Sequence, residues 1–375
     1  LPVAALGMFV ARSRQSPVVL STALASFWLC AGFFAIDSEV SSIGARFTGI
    51  TLGFLLPFAL AALDKDDKED SRTVSATALA VFGADGTAYF GIAYALLRRD
   101  FHQWLGLLAV CVAATYLALA ALTRRRISPR AGADLRPLLF QIGMAIAFIT
   151  LAIPIQLTGF RITVGWVLQA TLLTWLGARY HSPRAYAAGA IVFSLVALRL
   201  MGSDAWLYRS STDVPTVLFN ARFLAFAVSA LCAFTAARWA VSFSRRLALG
   251  EYLGAHIALL AGLTLEVVMW VTRNAPASNR ISAETFSVSL LYGIYAVVLV
   301  SAGVATRTAV NRISGLSLIG FVIAKLYLFD VWQLDRVYRI AAFVALGILL
   351  ISTSFLYSRY RHVLEALLRN DDTAS

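Results

Sequence analysis

The 375-residue chain is 59% hydrophobic and only 14% charged, with a mean hydropathy of +0.76. Soluble domains carry about a quarter charged residues, whereas here the apolar residues fall in blocks close to the roughly 20 residues that cross a bilayer, which excludes a soluble globular fold. The net charge of +12 belongs to loops that orient spans and touch anionic headgroups; no basic-aromatic soluble module accompanies it, so no nucleic-acid partner is expected.

In chain order the apolar blocks run over 1–10, 17–35, 46–63, 74–97, 103–122, 137–158, 162–177, 185–201, 221–240, 250–271, 286–306, 313–330 and 336–357. They predict an all-α polytopic bundle of about 13 spans, joined by short loops as helical hairpins, with 1–375 as a single multi-pass membrane domain. The first block is short, and its apolar run precedes Arg12 and Arg14, the reverse of a signal peptide. The expectation is a partial span at 1–10, in a chain that begins inside a span. The acidic run DKDDKED at 64–70 lacks the glycine and spacing of a calcium loop and reads as a solvated loop. Residues 366–375 read as a frayed cytoplasmic tail.

Sorting the loops alternately gives two unequal sets. One, which includes Arg124, Arg125, Arg126, Arg245, Arg246, Arg359 and Arg361, holds 20 basic residues; the other, which includes Arg161, Arg222, Arg280 and Arg339, holds 10. Cytoplasmic loops carry the excess. The bias predicts a cytoplasmic C-terminus and a location in a cytoplasmic membrane, with the lipid bilayer as the first partner.

Cys30, Cys111 and Cys232 lie inside apolar blocks and read as small core residues, and His102, His181, His256 and His362 are scattered. No HExxH, CxxC, GxSxG or P-loop is present, so neither metal nor cofactor is expected. What remains are polar groups within spans, the default place to suspect function in a membrane. Asp85 lies mid-block in VFGADGTAYF, where Gly83 and Gly86 permit either a local break or a close helix contact. Gln169 is central in its block and suited to a hydrogen bond across helices. Arg199, Glu266 and Lys325 sit near the ends of outward-running spans, and Arg222 and Arg339 begin inward-running ones. An outer-half network of these residues is expected, with Glu266 paired to Arg199 or Lys325; snorkelling to headgroups is the alternative for the two bases. Asp330 closes a helix, where the dipole disfavours an acid, and so calls for Lys325, Arg336 or Arg339. Asp335 is placed to cap the final span.

The segment GLSLIGFVIAKLYLFDVWQLDRVYRIAAFVALGILLISTSFLYSRYR at 315–361 resembles the closing part of an uncharacterised bacterial family of predicted membrane proteins, domain of unknown function 2339. The resemblance is carried by Lys325, Asp330, Leu334, Tyr338, Arg339, Tyr357 and Arg359. The stretch 153–179 is similar to another part of the family through Trp166, although Gln169 stands where an acid is expected, and 217–226 through Asn220, Arg222 and Phe223. The resemblance implies a polytopic bacterial membrane protein of which this chain is the C-terminal part, and brings no activity, cofactor or catalytic residue.

Three roles fit these features. The favoured one is a structural or scaffolding protein of the cell envelope, partnered by other envelope proteins. The second is a transporter or flippase with the outer polar cluster on its path. The third is an intramembrane enzyme acting on a lipid-linked substrate.

Overall fold

The computed structural model describes residues 17–36, 42–63, 76–126, 135–206, 216–330 and 336–371. Within them the long elements are helices: α1 Pro17–Ile36, α2 Ile43–Leu63, α3 Ala76–Leu97, α4 Leu105–Arg126, α5 Arg136–Gln156, α6 Phe160–Arg179, α7 Pro183–Gly202, α8 Ala221–Ala240, α9 Arg245–Asn274, α10 Arg280–Ala305, α11 Ala309–Lys325 and α12 Arg336–Asp371. Each apolar block after the first is therefore a helix, and block 1–10 lies outside the described residues. Among the described residues, nine helices are long and apolar enough to cross a membrane. The shortfall from the expected number has local causes. The apolar pieces of α1 and α2 among the described residues, Ala25–Phe34 and Ile43–Leu56, are shorter and stand outside the nine. In α6, Arg161, Gln169 and Arg179 dilute a helix of ordinary length. The acidic run 64–70 and Asp335 also lie outside the described residues.

The chain forms two compact units, Leu1–Gly165 and Trp166–Ser375. In the first, α4 packs along α5, and α1 and α2 both pack on α3. Its core is aromatic: Phe54 stacks on Tyr89 at 4.4 Å, and Phe148 meets Phe90 at 5.6 Å and Tyr116 at 6.0 Å. Ring pairs of this kind contribute about 0.5–1.5 kcal/mol beyond their buried area.

In the second unit α8 packs along α9, α10 along α11, and α10 also against α9 and α12. Lipid tails are as apolar as leucine, so close backbone approach, rather than escape from water, holds such pairs together. The buried face of α8 is accordingly small: Ala225, Ala230, Ala233, Ala236, Ala237 and Ala240 are all nearly or fully buried, while Leu224 and Leu231 on the other face are exposed. A small face lets α9 come near, and Gly262 of α9 abuts Phe226. The α10–α11 pair uses the same device. A Cβ on Gly315 would stand 2.8 Å from the carbonyl oxygen of Ala296 and 2.7 Å from Val300. Two helices of this unit have sequence-encoded starts. Asn220 accepts from Phe223 N–H at 2.8 Å to cap α8, and Ser182 followed by Pro183 opens α7.

Gly315→Ala is expected to destabilise the protein by about 1–3 kcal/mol, because backbone atoms cannot give way as a side chain can. Gly320→Ala on the same helix, with nothing within 4 Å of its Cβ, is the control, expected to be neutral or slightly stabilising. Thermal unfolding in detergent micelles compares the two.

Candidate functional site

The strongest polar constellation forms where α8 begins against the last third of α9. Glu266 is 2% exposed and Arg222 is 6% exposed. Arg222 sits one residue into α8 because Asn220, itself in an extended conformation, caps the helix. Its Nη2 donates to Glu266 Oε1 at 2.9 Å, to the Leu265 carbonyl at 3.1 Å and to Met269 Sδ at 3.3 Å. The second carboxylate oxygen, Oε2, accepts from Asn220 Nδ2 at 2.8 Å and from the Leu218 backbone N–H at 3.0 Å. Asn220 is thus shared: its oxygen caps α8 while its nitrogen serves Glu266 and the Thr216 carbonyl. Leu218 adopts φ +67°, a left-handed conformation costing an ordinary side chain about 1–2 kcal/mol. The bent segment 216–220 delivers the Leu218 amide to the carboxylate, and the charge-assisted bond offsets that cost. Phe219 is left 89% exposed at the tip.

The arrangement is closed by the protein's own groups. Both oxygens of Glu266 are occupied by the protein's own donors, and the carboxylate is neither solvated nor open. Chemically it can hold three chain segments together, with three accepted hydrogen bonds on a carboxylate that is 2% exposed.

The other polar groups make contacts of their own. Arg199, at the end of α7, lies 3.9 Å from Asp204, which is fully buried in the turn that follows. Lys325, at the end of α11, donates from Nζ to Ser289 Oγ of α10 at 2.7 Å. It is followed by one turn of π-helix, Leu326–Asp330. The side chain of Asp330 lies outside the described residues. Arg339 is half-buried on α12 and is not without a partner. The structure therefore brings Glu266 together with Arg222, and gives Arg199 and Lys325 the partners Asp204 and Ser289. Asn220 carried a legible sign, an N-cap residue just before an apolar run. The Leu218 amide and the Ser289 hydroxyl carried none.

Asp85, in the first unit, is 1% exposed. Helix α3 runs unbroken through Gly83 and Gly86, so of the two options those glycines open, the close contact is the one realised: Gly86 abuts the Tyr116 ring and hydroxyl of α4. That hydroxyl donates to the Phe82 carbonyl at 2.7 Å. Trp28 Nε1 of α1 donates to Asp85 Oδ1 at 2.8 Å, and Oδ2 has no hydrogen-bond partner among the described residues. Gln169 lies half-buried on α6 and is not without a partner. Among the described residues no three His, Cys, Asp or Glu side chains gather as a metal set.

Residues 185–360 match the family model described as Predicted membrane protein (DUF2339), the family that the C-terminal residues resemble. The matched region contains Arg199, Arg222, Glu266, Lys325, Asp330 and Arg339; Asp85 and Gln169 fall outside it. No curated protein and no solved structure matches the chain.

Arg222→Met strands a buried carboxylate and is expected to cost about 3–5 kcal/mol, whereas Arg222→Met with Glu266→Met is expected to recover most of it. Unfolding of the purified single and double variants measures the difference. Asp85→Asn retains an acceptor for Trp28 and is expected to change stability by less than about 1 kcal/mol, against a loss of about 1–3 kcal/mol for Trp28→Phe; the same unfolding assay reads both.

Proposed function

We propose that this protein is a structural, scaffolding component of the bacterial cytoplasmic membrane, with its C-terminus in the cytoplasm. The observation that carries this reading is that both oxygens of the buried Glu266 accept from the protein's own donors. A substrate path needs polar groups that exchange partners, and a transporter commonly interrupts helices near mid-membrane to expose them. Here the buried Arg222–Glu266 pair is spent on internal packing, and α3, the helix with the best sequence for an interruption, is continuous. The twofold excess of basic residues in alternate loops supports the orientation. A transporter or flippase remains the second reading, favoured by one feature: the π-helical turn after Lys325, a distortion that recurs at functional sites.

Two experiments test the proposal. A C-terminal alkaline phosphatase fusion is expected to be inactive and the corresponding fluorescent-protein fusion bright; strong phosphatase activity reverses the orientation. A strain lacking the gene is then complemented with the Arg222→Met/Glu266→Met variant. A scaffold needs only the folded bundle, so the variant is expected to restore the wild-type envelope phenotype wherever it restores stability. A stable double variant that fails to complement would mean that the charges themselves act on a substrate.

A further inference from the structure

At the opposite ends of α8 and α9 from Glu266 the chain holds a cavity of about 560 Å³ that the polar network does not use. It is lined by Ala237, Arg238 and Val241 at the end of α8, by Arg245, Ala248, Leu249 and Tyr252 on the first turns of α9, and by Thr308, Val310 and Asn311 at the start of α11. Its size falls within the range of ligand sites, about 300–1,000 Å³. Its chemistry is graded along the helix axis. Arg238 and Arg245 are exposed at helix ends, and neither is in an ion pair with a described residue. Tyr252 stands seven residues further along α9, roughly 10 Å deeper at 1.5 Å per residue, among Leu249, Val310 and Ala248. At that depth the Tyr252 hydroxyl donates to Asn311 Oδ1 at 2.7 Å. Asn311 is only 7% exposed, yet its amide nitrogen has no acceptor among the described residues. Asn311 lines the cavity and its nitrogen is not sealed off from it, so an acceptor on a ligand can reach that donor.

From these features we infer that the cavity binds one anionic phospholipid. Its phosphate lies between Arg238 and Arg245, its ester and glycerol oxygens reach the Asn311 amide, and its acyl chain runs along Leu249 and Val310 toward the bilayer. Three observations select this occupant. The charges at the mouth are positive and uncompensated, the wall beneath them is apolar, and the donor at depth sits where a lipid carries its carbonyl acceptors. A purely apolar ligand leaves the arginines and Asn311 unused, and a small soluble anion leaves the apolar wall uncovered. The inference does not rest on the scaffolding role, since binding is read directly.

The test is native mass spectrometry of the full chain released from detergent, titrated with phosphatidylglycerol and, separately, phosphatidylcholine. Wild type is expected to retain one phosphatidylglycerol at least roughly tenfold more tightly than phosphatidylcholine, since each arginine contributes about 1 kcal/mol toward an anionic headgroup. Arg238→Gln/Arg245→Gln, both at exposed positions, is expected to remove that preference, while Arg280→Gln at the other end of the bundle leaves it intact. Val241→Trp or Leu249→Trp fills the cavity without changing charge and is expected to abolish retention of both lipids; both positions are surface-exposed, so the fold tolerates the larger ring. Equal retention of the two lipids by wild type would overturn the inference. So would a loss with Arg280→Gln equal to that of the double variant, or undiminished binding in both tryptophan variants.

Discussion

A carboxylate inside a membrane protein must be given donors, and the second unit is organised by how Glu266 receives them. Placing an isolated acid at the centre of a membrane helix costs roughly 2.5–3.5 kcal/mol even on translocon scales. At 2% exposure Glu266 has no route to headgroups or water. Its donors come from three kinds of group: a guanidinium on α8, a capping amide before α8 and a backbone N–H in the segment leading to it. Each constrains a different degree of freedom. The arginine fixes the rotation of α8 against α9, the asparagine fixes where α8 starts, and the Leu218 amide fixes the path of the chain that enters it. The alanine face of α8 then makes the approach close enough for these bonds to form, so apolar packing and the polar cluster specify one register.

The first unit solves the same problem less completely. Asp85 has one indole donor and a second oxygen without one among the described residues, and it is surrounded by rings rather than by other polar chains. Tyr116, which touches the Gly86 backbone beside it, spends its hydroxyl on the Phe82 carbonyl. An acid in such a site is held by packing of α1, α3 and α4 more than by hydrogen bonds. The contrast separates two designs in one chain: an acid that ties segments together, and an acid tolerated within an aromatic core.

The sequence announced the helices because a bilayer permits little else: a span must satisfy its own backbone, so length and hydropathy suffice to find it. Where the reading was coarse, the reason is local. Helix α6 folds although Arg161, Gln169 and Arg179 keep it below the hydropathy of a span, and α9 starts at Arg245, before its apolar block, since arginine stems prolong a helix into the interface. Glu266 was recognisable as an acid that needed a base. Its partner was not, because Arg199, Arg222 and Lys325 all fall near the same ends of neighbouring helices, and the choice among them depends on helix rotation. Hydropathy carries no rotational information for α8, whose apolar residues run all the way round. Asn220 and Arg222, two apart at the helix start, hold that information jointly, but only once the carboxylate they share is in place.

Glu266 orders the chain that enters α8, and hydrogen–deuterium exchange of the peptide spanning 216–223 measures this most directly. In the wild-type protein the Leu218 amide is predicted to be protected although its side chain and that of Phe219 are exposed. In Glu266→Ala that protection is predicted to be lost while the peptides of α10 and α11 exchange as before. Rapid exchange of the Leu218 amide in the wild type, or unchanged protection in Glu266→Ala, would contradict that ordering role of Glu266.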